Sequence, residues 1–308
     1  MRSKSVHLAG HGVSLITPFN SAGEVDYPAL EGLINFIAQS RVSFISILGT
    51  ASESNLLSLD ERIRVLDFVS EINKGRKPLV GGIAASDTRT AVQRISTFKR
   101  RDFVAIICFS PLPEPSSVSG FVGHFRSLAQ ASDLPIIIEN GRSFVDTNRI
   151  NGILELANES RIIGVMDGSG DIGLHGTLLR KRPSGFLVFS SRDALAMPLM
   201  ALGIDGVISS IGNAFPDAYS DMVDQLIFGS LLDAREIHHQ LAPLMRILEQ
   251  EGTPTGIKAV LKHLHYCKNH VRLPNTPVSE STMSAIYQAL ADLPQAIISP
   301  VLPEKPMT

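Results

Sequence analysis

The sequence predicts an α/β fold, a (β/α)8 or TIM barrel with a C-terminal helical extension. Short apolar runs recur through the first 229 residues, and each run is followed by a segment with helical periodicity. The runs lack strict alternation, as is typical of parallel strands covered on both faces. Eight strand–helix pairs within about 230 residues suffice to close a barrel. An open doubly wound sheet is the alternative, but no Gly-x-Gly-x-x-Gly follows the first run.

The eight apolar runs are the predicted strands. They cover residues 13–17, 44–49, 78–84, 103–109, 135–140, 162–167, 185–191 and 206–210.

The segments between the strands are predicted to be helices. Asp26 is the expected N-cap of the first helix, because apolar residues follow it at i, i+3, i+4 and i+7 within residues 30–37. Ser58 and Glu61 form a capping-box pattern at the start of the second. Weaker helical patterns cover 88–99, 118–132, 147–158, 195–202 and 216–228, and a short Gly-rich pattern lies around 175–181.

Beyond the eighth unit the pattern becomes purely helical. Residues 230–294 are predicted to form a helical extension to a barrel made of residues 1–229, with helices around 237–248, 257–265 and 283–293. Several prolines in residues 295–308 predict a loose tail.

The composition excludes several classes of function. The net charge is −2, and the 28 Lys and Arg residues are scattered, which argues against a nucleic-acid or membrane-binding face. The two cysteines, Cys108 and Cys267, are too few for a disulfide framework or a four-cysteine zinc site. No signal peptide or membrane-spanning run is evident, so we expect a soluble, cytoplasmic protein. We also expect no metal and no cofactor.

Several local patterns coincide in order and spacing with one family. They are GVSLITPF at 12–19, GTASE at 49–53 with LSLDER at 57–62, LPIIIEN at 134–140, IIGV at 162–165, GVISSIGN at 206–213, and PTGIK at 254–258 with RLP at 272–274. From about Gly12 to Leu293 the chain therefore resembles the dihydrodipicolinate synthase / N-acetylneuraminate lyase family of class I aldolase-type barrels.

The resemblance implies a homo-oligomer, a dimer or tetramer of barrels, that acts on a small 2-keto or sugar acid such as pyruvate. In the family, a lysine on the sixth strand forms a Schiff base with the keto carbon. A tyrosine at the end of the fifth strand relays protons, and a Gly-Thr-Thr-Gly-Glu loop holds the substrate carboxylate.

This chain departs from the family at the positions that carry the chemistry. Thr50 keeps one hydroxyl of the carboxylate loop, whereas Ala51 lacks the other. Glu139 stands at the tyrosine position, and a carboxyl group has a much lower intrinsic pKa than a phenol. Met166 stands at the lysine position, and a thioether cannot add to a carbonyl. The resemblance places Ile208, on the eighth strand, with these residues at the substrate site.

Other family side chains are also missing from their positions. The tyrosine that a neighbouring subunit contributes falls within residues 110–113, which read Ser-Pro-Leu-Pro. Arg142 could replace the substrate-binding arginine only in a shifted register. Lysines outside the strands, among them Lys99, Lys181 and Lys258, are expected to be solvated helix residues.

Three hypotheses follow for the function. In the first, the parent activity is negligible and the protein binds a small carboxylate. In the second, a lyase uses lysine-independent chemistry through a metal or an acid–base pair, with Glu139, Asp167 and Asp193 gathered at the mouth of the barrel. Arg142 or Arg192 would instead pair with those carboxylates if their role is structural. In the third, an unusual lysine keeps the synthase active.

Overall fold

The computed structural model describes residues 8–99, 101–111, 117–141 and 147–298. Within these ranges, eight parallel strands close into one barrel in the order β1 to β8. The strands are β1 Gly10–Ser14, β2 Phe44–Ile47, β3 Leu79–Ile83, β4 Phe103–Phe109, β5 Ile136–Asn140, β6 Ile162–Asp167, β7 Leu187–Ser190 and β8 Gly206–Ser209. The predicted (β/α)8 barrel is confirmed.

The barrel closes where β1 pairs with β8. Gly10 lies opposite Gly206, and Val13 lies opposite Ser209. On its other side, β1 pairs with β2, where Ser14 lies opposite Ser46. The polar groups of the β1 backbone therefore have a neighbouring strand on both sides.

The first strand begins earlier than predicted. It covers Gly10–Ser14 rather than residues 13–17. The glycines and His11 at its start do not have the apolar pattern of a strand. The His11 ring is nevertheless buried, with hydrogen bonds between Nδ1 and Ser220 Oγ at 2.7 Å and between Nε2 and Ser209 Oγ at 2.6 Å. These bonds link β1 to β8 and to the helix after β8, which no local pattern reveals.

Helices cover the outside of the barrel. They are α1 Tyr27–Gln39, α2 Leu59–Asn73, α3 Thr88–Ile95, α4 Val118–Ala131, α5 Thr147–Leu156, α6 Ile172–Lys181, α7 Ala196–Leu202 and α8 Pro216–Ile227. Asp26 accepts a hydrogen bond from Ala29 N, and Ser58 and Glu61 form the complete capping box. The Gly-rich α6 is a full helix because Asp171 caps it, accepting from Leu174 N at 2.7 Å.

Two apolar layers result from the alternation of side chains along each strand. The inner layer fills the barrel with side chains that include Phe44, Ile107, Ile137, Met166 and Phe189. The larger outer layer packs the other face of the strands against the helices.

Four further helices follow the barrel units. They are α9 Leu231–Glu251, α10 Thr253–His263, α11 Glu280–Ala291 and α12 Gln295–Ile298. α9 packs against α7 and α8, whereas α10 contacts the short turn Thr50–Ser52 that follows β2. The extension therefore reaches the end of the barrel at which the strands terminate.

The predicted loose tail is corrected at its start. Gln295–Ile298 form a helical turn, because Ile297 is buried against the apolar core. Residues 299–308 lie outside the described part of the chain. In the part that is described, no helix has the length and apolar character needed to span a bilayer.

Gly12 tests the packing of the barrel interior. A Cβ atom at Gly12 would overlap the Phe44 ring, whereas a Cβ atom at Gly32, on α1, would contact nothing within 4 Å. We expect Gly12→Ala to destabilise the protein by about 1–3 kcal/mol, the usual cost of overpacking. Gly32→Ala is the control and should stabilise by about 0.5–1 kcal/mol. Denaturant unfolding measures both, and equal midpoints for the two variants would contradict the packing.

His11 predicts a loss of stability in acid. Burial lowers the pKa of His11 from 6.5 to about 3. Between these pH values the unfolded chain takes up a proton that the folded chain refuses, so the free energy of unfolding falls as the pH drops. The slope contributed by this group is at most about 1.4 kcal/mol per pH unit. The free energies of unfolding of wild type and His11→Gln, measured from pH 7 to pH 4, should converge on acidification. A constant difference between the two would exclude His11 as the cause.

Candidate functional site

A cavity of about 760 Å³ opens at the end of the barrel where the strands terminate. Ser14, Phe109 and Glu139 line it from the ends of β1, β4 and β5. Pro254 and Asn275 line it from the C-terminal extension. The cavity therefore lies where active sites of (β/α)8 barrels are found, and its volume suits a small ligand.

Strand register brings three of the predicted site residues together. Glu139 on β5 lies opposite Met166 on β6. Because neighbouring residues in register point to the same face, both side chains face inwards, and both line the cavity. Ile208 on β8 lines it as well. Met166 is 5% exposed, so its thioether forms part of the cavity floor.

Asp167 does not belong to this group. It follows Met166 on the strand and therefore points outwards, where it is fully buried. Its Oδ1 accepts from Asn140 Nδ2 at 2.7 Å, and its Oδ2 accepts from Ser169 Oγ at 2.6 Å. His175 Nε2 lies 3.6 Å from Oδ2. The carboxylate is thus committed to the loop between β6 and α6.

Asp193 is likewise placed away from the cavity. Its carboxylate accepts hydrogen bonds from the backbone N–H groups of Ser210 and Ile211, the closest at 2.9 Å. It therefore holds the turn after β8. Arg192 pairs with Glu249 on α9 at 2.9 Å rather than with a carboxylate of the mouth, and Arg142 lies outside the described residues.

The expected gathering of three carboxylates at the mouth is therefore wrong. Of Glu139, Asp167 and Asp193, only Glu139 reaches the cavity. Among the residues that the structure describes, no group of three or more His, Cys, Asp or Glu side chains is arranged to hold a metal ion. Alternation along β6 turns Asp167 away from the cavity, and hydrogen bonds from Ser210 N and Ile211 N hold Asp193 at the turn after β8.

The predicted carboxylate loop begins at the cavity. Thr50 and Ala51 form a 3-10 turn, Thr50–Ser52, and Ala51 is completely buried. Gly49, just before the turn, lines the cavity together with Ser14 and Ser46.

Ser14 and Ser46 were missed in the sequence. A Cβ atom at Gly49 would lie 3.0 Å from Ser14 Oγ and 3.9 Å from Ser46 Oγ, so the two hydroxyls flank the missing side chain. Within the described part of the chain, neither hydroxyl is both buried from solvent and without a hydrogen-bond partner. The signal in the sequence was their position near the ends of the first two strands.

Lys258 is not solvated, contrary to expectation. Its side chain is fully buried, and Nζ lies 2.6 Å from Glu53 Oε1 and 4.1 Å from the centre of the Phe19 ring. It also donates to the carbonyl of His270 at 3.0 Å. Lys258 is absent from the cavity lining, whereas Glu53 lines it. The Lys258 ammonium, which does not itself line the cavity, thus neutralises the Glu53 carboxylate, which does.

The same carboxylate anchors the C-terminal extension. Glu53 Oε2 accepts from Arg272 N and from Asn275 Nδ2, each at 3.0 Å. The Arg272 guanidinium is bonded in turn to both carboxylate oxygens of Glu61, which lowers the pKa of Glu61 to about 2. The cavity is therefore assembled from the barrel and the extension together.

Among the described residues, the charged side chains that line the cavity are two arginines and two glutamates. Arg62, on α2, and Arg94, on α3, lie beside the loop after β3, whereas Glu53 and Glu139 lie after β2 and at the end of β5. No lysine lines the cavity in the ranges that the structure covers.

Comparisons with known proteins agree with this fold and show the family. The model of the dihydrodipicolinate synthetase family matches residues 7–293. The chain belongs to this family. It is 36% identical to a 4-hydroxy-tetrahydrodipicolinate synthase of Azobacteroides pseudotrichonymphae over 93% of this chain and 98% of that protein.

Solved structures of this family superpose closely on the chain. The dihydrodipicolinate synthase of Aquifex aeolicus has a TM-score of 0.88 at 30% identity, covering 94% of this chain and 99% of that one. A chloride-inhibited dihydrodipicolinate synthase of Acinetobacter baumannii, solved with pyruvate, has a TM-score of 0.88 at 28% identity, covering 92% and 98%.

The buried ion pair predicts a large loss of stability for one substitution. Lys258→Met leaves the buried Glu53 carboxylate without its partner, which costs about 3–5 kcal/mol. Lys262→Met, on the exposed side of the same helix, should change stability little. Denaturant unfolding measures both variants.

A double variant tests the coupling between the two charges. Glu53→Gln with Lys258→Met should cost less than the sum of the single substitutions, because it leaves no unpaired buried charge. Strict additivity would show that the pair is not coupled.

Proposed function

We propose that this family member has lost Schiff-base activity and binds a small carboxylate ligand, a 2-keto or sugar acid, in the cavity at the mouth of the barrel. The observation that carries the proposal is Met166, whose thioether lines the cavity from β6. The resemblance aligns this position with the family lysine.

The chemistry of the cavity wall supports the loss of covalent catalysis. A thioether has no proton to exchange, and it has no amine nitrogen with which to form an imine with a keto acid. Lys258 does not line the cavity, and its Nζ lies 2.6 Å from Glu53 Oε1. Burial lowers the pKa of Lys258, whereas Glu53 favours the charged form. Because Nζ also donates to His270 O, the amine is held away from a ligand in the cavity.

Binding of a carboxylate remains possible without the lysine. The hydroxyls of Ser14 and Ser46 flank Gly49 at the cavity, and hydroxyl groups donate hydrogen bonds to carboxylate oxygens. The Acinetobacter baumannii relative was solved with pyruvate, which favours a ligand of similar size and charge.

Lysine-independent lyase chemistry is the alternative, and the geometry weakens it. It requires a second carboxylate near Glu139, but Asp167 is bonded to Asn140 and Ser169, and Asp193 to the turn after β8. The other carboxylate that lines the cavity, Glu53, is paired with Lys258, so it does not supply the second group for acid–base chemistry.

The proposal also includes an assembly and a domain division. By resemblance we place the chain in a cytoplasmic homo-oligomer, a dimer or tetramer, with a barrel of residues 1–229 and an extension of residues 230–294.

Trapping with borohydride and pyruvate tests the loss of activity. Reduction of the wild-type protein with both reagents should leave the intact mass unchanged, because no lysine lines the cavity within the described residues. Met166→Lys should gain the mass of one reduced pyruvate, since it supplies an amine whose pKa burial would lower. Intact-mass spectrometry and peptide mapping read both results.

The control variant is Met166→Gln, which has a polar side chain but no amine and should stay unmodified. An adduct on any lysine of the wild-type protein, or condensation of pyruvate at a rate typical of the family, would overturn the proposed loss of activity. An unmodified but folded Met166→Lys would show that this position does not meet the keto group.

A further inference from the structure

Two arginines share one wall of the cavity without a carboxylate partner. Arg62 lies on α2 and Arg94 on α3, and both line the cavity beside residues 84–86, which follow β3. Arg62 Nη1 approaches the carbonyl oxygen of Ala84 at 3.5 Å, and Arg94 Nη1 donates to the same oxygen. The two guanidinium groups are therefore close neighbours.

Most of the other buried or half-buried arginines of the described chain are neutralised by acids. Arg101, Arg182, Arg192 and Arg272 each form an ion pair with an aspartate or glutamate. No such pair forms at Arg62 or Arg94 within the ranges that the structure describes. The nearest acid to Arg94, Asp87, has its carboxylate bonded to the backbone and hydroxyl of Thr90 at 2.9 and 2.7 Å.

The placement of these two charges beside each other in the cavity wall is unfavourable. Burial, followed by the positive charge of Arg94, lowers the pKa of Arg62 to about 10. Burial also lowers the pKa of Arg94. Two like charges in a shared wall repel each other, and burial weakens the solvation that would screen them.

Several guanidinium donors remain open to a ligand. A guanidinium has five N–H groups. Arg62 uses Nε, which donates to Leu57 O at 3.1 Å, and Nη1, whereas Arg94 uses Nη1 alone. In the described part of the chain, no nitrogen of either guanidinium is both buried from solvent and without a hydrogen-bond partner. The Nη2 atoms therefore reach space that a ligand can enter.

We propose that Arg62 and Arg94 form an oxyanion subsite of the cavity, which binds a carboxylate or phosphate group of the ligand. Planar guanidinium groups bind such groups through paired hydrogen bonds, and the anion would neutralise the two charges. The inference rests on the proposed function for the role of the cavity, and it adds the charge and position of one ligand group. Arg62 and Arg94 line the cavity beside residues 84–86 after β3, whereas Ser14 and Ser46 line it from β1 and β2.

Titration with two anions tests the subsite in the full-length protein. Inorganic phosphate and succinate are titrated separately by calorimetry, at constant ionic strength. At least one should bind saturably, and Arg94→Gln should weaken its affinity by about 10-fold or more, as expected for one lost charge-assisted hydrogen bond. Phosphate binding identifies a phosphate-type ligand, whereas succinate binding identifies a carboxylate.

The matched control is Arg89→Gln, which removes the same charge from an exposed position on α3 that does not line the cavity. Its affinity should stay within about 2-fold of wild type, given the small effect of screened surface charges. Arg62→Gln should weaken binding as Arg94→Gln does. If Arg62→Gln does not fold, because Arg62 bonds Leu57 and Ala84, Arg94→Gln decides alone.

Two results overturn the subsite. They are the absence of saturable binding of either anion to the wild type, and equal affinities for wild type and Arg94→Gln. Neither depends on the borohydride experiment, because an adduct on a wild-type lysine refutes the lost activity while an Arg94-dependent affinity still supports the subsite.

Discussion

The closure of the barrel is the constraint on which the rest of the structure depends. Once β1 pairs with both β2 and β8, no strand can slip by one residue without turning its whole inner face outwards. This register sends Glu139 and Met166 into the cavity and sends Asp167 outwards to the loop before α6. The alternation of side chains along β5 and β6 therefore decides which of them can act at the mouth of the barrel.

A second constraint is the buried pairing that fastens the C-terminal extension. Lys258 reaches Glu53 across the chain, and Arg272 reaches both Glu53, through its backbone, and Glu61. These contacts hold the segment containing Asn275 over the end of the barrel, so that it becomes cavity wall. Because the ion pair is fully buried, its value lies less in net stability than in fixing one arrangement of barrel and extension.

Under the proposed function, the cavity serves binding rather than covalent chemistry. Met166 lines it with a thioether, and the buried Lys258 is paired with Glu53 of the cavity wall. Under the same proposal Arg62 and Arg94 suit an anion, because neither forms an ion pair with an acid in the described part of the chain. The chain then keeps the barrel and cavity of the dihydrodipicolinate synthetase family, with Met166 at the position that the resemblance aligns with the family lysine.

The sequence by itself determined the fold class and the family, since apolar runs and local motifs carry this information. It predicted the caps at Asp26 and Ser58 for the same reason. It misplaced Asp167 and Lys258, and it missed Arg62 and Arg94 as cavity residues. Only the tertiary structure decided where these four side chains lie. The direction of a side chain at a strand's end and the burial of a helix face leave no local signal in the sequence. The same holds for contacts across about 200 positions of chain, such as that between Glu53 and Lys258.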